Sequence, residues 1–259
     1  MTAAMLRDLH VPGRPVVLPN VWDAGSAQVF AGAGFRALAT SSSAVAESLG
    51  YADGEQTPPD EMFAALARIC RAAGVPVTAD IEAGYGLPPA GIAERLLAAG
   101  AAGCNLEDSN PATGVLRDPA EQAKWLAAVR AAAGDALVLN ARVDVFLAAR
   151  HAASVAPGEG GAVANGSPDA AELVMADAVN RAKAYLAAGA DCVYPILAPP
   201  DALAEFVRAV DGPVNALHLP NGPSLSELAH LGVARITFGG GLYRRTTEFV
   251  RTLATDLHP

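Results

Sequence analysis

Val77-Thr78-Ala79-Asp80-Ile81-Glu82-Ala83-Gly84-Tyr85-Gly86 carries an apolar run into two carboxylates and then a Gly-Tyr-Gly turn. In a strand, side chains alternate between faces, so Asp80 and Glu82 would project together at the carboxyl end. Two carboxylates held side by side are costly unless they share a proton or a cation. The stretch therefore predicts a strand that delivers acid groups to a rim, and the acid pair makes that rim a candidate metal site.

Similar apolar runs recur on both sides of it. They are Val16–Val21, Ala37–Ser41, Val75–Ile81 itself, Ala102–Leu106, Leu137–Ala141, Cys192–Leu197, Pro213–Leu217 and Ala234–Phe238. Several are nearly unbroken in apolar residues, which suits strands of a parallel sheet buried on both faces. Helical patterns lie between them. Thr57-Pro58-Pro59-Asp60 places a cap residue ahead of proline. Asp118-Pro119-Ala120-Glu121 and Ser224-Leu225-Ser226-Glu227 resemble capping boxes, and Pro199-Pro200-Asp201 opens another helix. Phrases such as Ala98-Ala99-Gly100-Ala101 set a glycine at a helix end just before the next strand.

Eight βα units joined by right-handed crossovers predict an α/β fold, a single (β/α)8 TIM barrel domain spanning 1–259. The alternative is an open doubly wound sheet. That fold would show a glycine-rich phosphate turn after its first strand, and Pro19-Asn20-Val21-Trp22-Asp23 is not one. Residues 156–168 form a low-complexity insert expected to be flexible. The loop Ser109–Arg117 is a candidate lid. The last helix, Leu242–Leu257, has two possible partners: its own barrel, or another subunit with which it is swapped.

The net charge of −9 disfavours nucleic acid and anionic membrane as partners. No run is long enough to span a bilayer, and Met1–His10 lacks the apolar stretch of a signal peptide. Cys70, Cys104 and Cys192 are widely spaced and form no CxxC pair. They predict buried, reduced thiols and a cytoplasmic setting.

In a barrel, the carboxyl ends of the strands line the active site. Here those ends are rich in polar groups: Asn20 and Asp23, then Thr40 to Ser43, Asp80 and Glu82, Glu107 and Asp108, Asn140, Arg142 and Asp144, and finally Asn215 and His218. Asp80, Glu82 and Glu107 form a hard-oxygen set without a nearby histidine or cysteine, which selects Mg²⁺ or Mn²⁺ over Zn²⁺. Magnesium keeps several waters, so one carboxylate would bind it directly and the others through water. Arg142 either clamps a substrate carboxylate or enolate oxygen, or forms a structural salt bridge to Asp144 or Glu107. Ser41 to Ser43 either present donors to a carboxylate or make a simple turn. Gly239-Gly240-Gly241 reads as a tight turn into the last helix. His218 reads equally as a loop residue or a site residue.

Taken in order, Asn20-Val21-Trp22-Asp23-Ala24, Ser41 to Asp53 ending in Leu49-Gly50-Tyr51-Ala52-Asp53, Ala79 to Gly86, Asn105-Leu106-Glu107-Asp108 and Asn140-Ala141-Arg142 resemble the isocitrate lyase / phosphoenolpyruvate mutase superfamily. The resemblance runs over nearly the whole chain. It implies a (β/α)8 barrel, assembled as a homodimer or homotetramer whose subunits exchange their last helix. It also implies Mg²⁺ at Asp80, with Glu82 and Glu107 in the water-mediated shell and Asp53 at a substrate or metal-shell position. Arg142, Glu107 and Asp53 take the catalytic positions. Ser41, Ser42, Arg142 and Asn215 take the substrate-binding ones. The implied activity is that of a Mg-dependent lyase. It would make or break a C–C bond beside a small 2-oxo acid through a metal-stabilised enolate.

The loop after the fourth strand reads Asn110-Pro111-Ala112-Thr113-Gly114-Val115-Leu116-Arg117-Asp118. It has none of the lysine, cysteine and histidine that the superfamily's C–C lyases carry there. Tyr51, Tyr85 or a metal-bound water are the candidates for proton transfer. Two alternatives therefore stand beside the lyase. One is a phosphonate mutase or hydrolase, or a 2-oxo acid decarboxylase. The other is a non-catalytic, metal-dependent binder of 2-oxo dicarboxylates.

Overall fold

A computed structural model describes residues 2–155 and 168–258. The expected insert at 156–168 lies outside them except for Pro168, which opens a helix.

The chain begins with α1 (Ala3–Arg7) and then β1 (Val16–Val17) and β2 (Asn20–Val21). It continues through α2 (Ala24–Gly32), β3 (Leu38–Thr40), α3 (Ser42–Leu49), α4 (Pro59–Ala73), β4 (Val77–Asp80), α5 (Pro89–Ala99) and β5 (Gly103–Leu106). Then come α6 (Pro119–Ala133), β6 (Val138–Arg142), α7 (Val145–Val155), α8 (Pro168–Ala187) and β7 (Cys192–Tyr194). The last elements are α9 (Pro200–Ala209), β8 (Asn215–Leu217), α10 (Leu225–His230), β9 (Arg235–Thr237) and α11 (Gly241–Leu257).

The first predicted strand is split into β1 and β2, and the split closes the ring. β1 pairs with β9, and β9 with β8. β2 pairs with β3, and the order then runs to β7, all parallel. Between the two pieces, Leu18 N donates to Ile236 O at 2.9 Å, and Ala39 N donates to Pro19 O at 3.0 Å. Pro19 has no N–H with which to continue toward β9, so the segment changes partner there. Asn20 holds the seam: its Nδ2 donates to Thr40 O at 2.7 Å and its Oδ1 accepts from Phe238 N at 2.7 Å. At the other edge Val193 of β7 forms a parallel bridge to Val214, just before β8. The strands thus make a closed parallel barrel, as the repeated βα pattern predicts.

Helices cover the outside. Val77, Ile92, Leu96, Leu106, Leu126 and Val129 are all buried in one apolar cluster between sheet and helices. α5 ends at Gly100, whose φ of +81° lets the chain turn directly into β5. Two of the helix starts differ from expectation. α4 is capped by Pro58 with no side-chain bond, and the Thr57 hydroxyl is buried without a partner. Pro58 and Pro59 both lack an N–H, so fewer orphan donors remain at that end for a side chain to satisfy. At α6 only half a box forms: Asp118 accepts from Ala120 N and Glu121 N, while Glu121 turns to Lys124 at 2.6 Å. The box at Ser224 and Glu227 is complete.

The strands bury a polar layer beside an aliphatic cluster that includes Leu6, Leu18, Ala39 and Val138. Asn140 Nδ2 donates to Asn105 Oδ1 at 2.8 Å, and the fully buried Arg235 donates through Nη2 to the same oxygen at 3.0 Å. Cys104 and Cys192 are buried and unpaired, as expected, while Cys70 is half-buried. Among the described residues no helix is long and apolar enough to cross a membrane.

Candidate active site

A cavity of about 510 Å³ opens at the carboxyl ends of the strands. Asp53, Asp80, Glu82, Glu107 and Arg142 all line it, as do Ser41 and Ser42. These residues come from the ends of four strands and from the loop after α3, so the fold gathers what the sequence scatters. Asn215 is not in this wall. Its side chain is fully buried and bonded to Thr237, with Nδ2 donating to Oγ1 at 3.1 Å.

Asp80 ends β4, but Glu82 lies beyond the strand with a φ of +52°. The two acids therefore meet through a turn and not through strand alternation. Glu55 and Tyr85 also have positive φ, 59° and 56°. Such strained non-glycine residues persist only where their surroundings hold them, often beside functional sites. Here the bonds that hold them are visible. Tyr85 OH donates to Glu82 Oε1 at 2.7 Å, Glu55 N donates to Glu82 Oε2 at 2.7 Å, and Tyr85 N donates to Glu55 Oε1 at 2.5 Å. Gly84 explains its own place in the motif. Its φ is +96°, and a Cβ there would stand 2.7 Å from Ile92 Cδ1 and 3.2 Å from Trp125.

Arg142 forms the salt bridge that was one of its two readings, and forms it to both acids. Its Nε donates to Asp144 Oδ1 at 2.8 Å, and its Nη1 bonds Glu107 Oε1. Burial opposes its charge, but Asp144, Glu107 and Asp80 outweigh that and raise its pKa. It is a fixed cation, and its Nη2 makes no hydrogen bond to a described residue.

The serine turn is a helix start. Ser41 caps α3 and its Oγ lies 3.0 Å from Ser43 Oγ. Ser41, Ser42 and Ser43 all line the cavity, so it lies beside the start of α3, where a helix N-terminus favours an anion. Arg244, in the first turn of α11, lies alongside, because a Cβ at Gly240 would stand 2.9 Å from its Nη1 and 3.0 Å from Ser43 Oγ. The glycine run at 239–241 is the expected turn into α11, and no local motif marks Arg244.

The carboxylates are electrostatically crowded. Burial, with Asp53 and Asp80 nearby, pushes Glu82 up to about 7. Burial raises Asp80 and Glu107 as well; Asp53 adds to it at Asp80, Asp144 at Glu107, and Arg142 pulls both back. Asp108 turns away from the cavity. It is fully buried, accepting from Tyr185 OH at 2.7 Å and Arg181 Nη1 at 3.1 Å, and burial with Asp144 beside it raises it to about 6. Neither candidate tyrosine lines the cavity: Tyr51 OH bonds Glu61 at 2.8 Å and Tyr85 OH is committed to Glu82. Ser109 and Asn110 of the candidate lid do line it.

A family model described as phosphoenolpyruvate phosphomutase matches residues 6–258. The chain belongs to that family. It is 35% identical over 237 residues to an uncharacterized protein of Mycobacterium tuberculosis, covering 91% of this chain and 82% of that one. It is 32% identical to the chloroplastic carboxyvinyl-carboxyphosphonate phosphorylmutase of Arabidopsis thaliana, covering 93% and 70%. A candidate phosphonomutase from Burkholderia cenocepacia J2315 has a similar structure, with a TM-score of 0.85, 42% identity and coverage of 98% and 99%. As a member of the phosphoenolpyruvate mutase/isocitrate lyase superfamily of lyases and mutases, the protein is an enzyme.

Proposed function

We propose that this enzyme is a Mg²⁺-dependent lyase that makes or breaks a C–C bond beside a small 2-oxo acid. The observation that carries the proposal is the meeting of Asp53, Asp80, Glu82 and Glu107 with Arg142 in one cavity beside the start of α3. The donor set fits magnesium held partly through water. All four acids are hard oxygen donors, and burial together raises three of them, a cost that a divalent cation removes. No three such groups stand close enough to chelate one ion directly among the described residues. When bound, the ion would act as a Lewis acid toward the substrate's oxygens.

The chain's own residues supply the rest. The α3 N-terminus and the Ser41 and Ser42 hydroxyls receive the substrate carboxylate. Arg142 stands ready to bond the oxygen that gains charge as the enolate develops. Tyr85 and Glu55 fix Glu82, and Asp144 fixes Arg142. Ser109 and Asn110 form the wall nearest the leaving fragment. Residues Phe249, Val250 and Leu253 of α11 are exposed, which supports assembly as a homodimer or homotetramer through that helix. P–C chemistry is the second reading, favoured by the relatives named for phosphorylmutase activity.

The test is a screen of 2-hydroxy acids, oxo acids and phosphonates with Mg²⁺, read as release of glyoxylate, pyruvate or phosphate. Turnover of a C–C substrate that stops with chelator and with Asp80→Ala is expected. Phosphate release alone would establish the second reading. Metal-dependent binding of 2-oxo dicarboxylates without any turnover would sink both.

A further inference from the structure

The rim of the cavity is divided in two. Most of its charged and hydroxyl groups come from the ends of β3 to β6 and the segments that follow them, His151 of α7 among them, and Arg244 joins from α11. The ends of β7, β8 and β9 contribute Ile196, Leu197, Leu217, Leu219 and Phe238, and Leu147 of α7 joins them. We infer that the substrate has one charged end and one uncharged aliphatic end, the first held by the β3–β6 half and the second by the β7–β9 half. This rests on the 2-oxo acid reading of the same cavity.

Three observations support it. First, Arg142 and Arg244 are the only arginines or lysines among the described residues lining the cavity. Arg142 is tied to Glu107 and Asp144, and Arg244 stands against Ser43 and Gly240. Arg244 comes from α11, where it also stands beside Leu219 and Phe238, so it is a second carboxylate directed at Ile196, Leu197 and Leu217, at the ends of β7 and β8, that would lose hydration without compensation. Second, neither polar residue expected from this side lines the cavity: Asn215 is bonded to Thr237, and His218 lies outside the wall. Leu217 and Leu219 stand in the wall in their place. Third, Leu197 is held with a φ of +60°. A leucine is unfavourable in that region, and here the backbone turn is kept by Ile196 N donating to Tyr194 O at 2.8 Å and Ala198 N to Pro195 O at 3.1 Å. The strain is tolerated where it presents an apolar side chain to the cavity.

Calorimetric titration of the full chain with Mg²⁺ tests this, using pyruvate, 2-oxobutyrate and 2-oxo-3-methylbutyrate against oxaloacetate and 2-oxoglutarate. Each added carbon of the alkyl series should tighten binding about fourfold, the worth of one buried methylene. Both diacids should bind more weakly than 2-oxobutyrate. Leu217→Arg should reverse that ranking, favouring oxaloacetate over 2-oxobutyrate by tenfold or more. Pyruvate binding with no gain along the series, or with tighter binding of the diacids, overturns the aliphatic-end inference and leaves the 2-oxo acid reading intact. Failure of every 2-oxo acid to bind, pyruvate included, overturns both.

Discussion

His10 shows how one side chain can set a pH limit far from the cavity rim. Its Nδ1 lies 2.8 Å from Leu6 O, so that nitrogen carries the proton, and its buried Nε2 has no partner. Burial, reinforced by Arg235, lowers its pKa to about 4. The unfolded chain takes up a proton near the ordinary value of 6.5 while the folded protein resists it. Its contribution to stability is therefore full above 6.5 and is lost as the pH falls toward 4. A shift of this size is worth roughly 3 kcal/mol. Chemical denaturation of the wild type at pH 7 and pH 4.5 should show such a loss, and His10→Gln should show a smaller one. Equal slopes in the two proteins would remove His10 as the cause. Nothing in the local context Leu9-His10-Val11 marks this residue. Its role comes from the burial that α1 imposes beneath the barrel.

At the scale of elements, the candidate lid and α8 are joined by a buried clamp. The loop closes on itself through the Ser109 and Leu116 bridge and through Asn110 N donating to Val115 O at 2.8 Å. Arg181 on α8 donates to Arg117 O at 2.8 Å and to Asp108 at 3.1 Å. Asp108 in turn accepts from Asp144 N, and Asp144 accepts from Ser109 and Arg142. A chain of bonds therefore runs from α8 to Arg142. Removing one neutral partner should be tolerated: Tyr185→Phe should cost about 1 kcal/mol. Arg181→Met strands the buried Asp108 carboxylate and should cost roughly 3–5 kcal/mol. Denaturant melts of the two variants check this, and similar small losses in both would show that the clamp carries little. The sequence placed Asp108 on the rim because it follows Glu107. In the structure both lie just beyond β5, Glu107 in the cavity wall and Asp108 buried away from it, and Arg181, 73 positions later, holds Asp108 there.

The whole molecule is a barrel with one helix left over. α11 runs from Gly241 to Leu257 without a buried residue, and its apolar residues Phe249, Val250, Leu253 and Leu257 are exposed. An amphipathic helix of this length normally covers its apolar stripe. Sedimentation should find a dimer or tetramer, and Phe249→Asp with Leu253→Asp should shift it to monomer with the barrel's circular dichroism intact. A wild-type monomer at micromolar concentration would end the assembly proposal.

The sequence by itself determined the barrel, because strand and helix periods and their punctuation are local properties of the chain. It also brought Asp80, Glu82, Glu107 and Arg142 to one rim, since residues at strand ends share one rim in any closed parallel barrel. The shape of the acid motif came out otherwise than alternation suggests, because Glu82 leaves the strand and is held by Tyr85 and Glu55. Only the tertiary structure decided that Asn215 pairs inward, that Asp108 faces α8 and that Arg244 reaches the serine turn. Only it divided the rim into a charged half and an aliphatic half. Side-chain direction at a strand end depends on partners far away in sequence, and no local pattern records them.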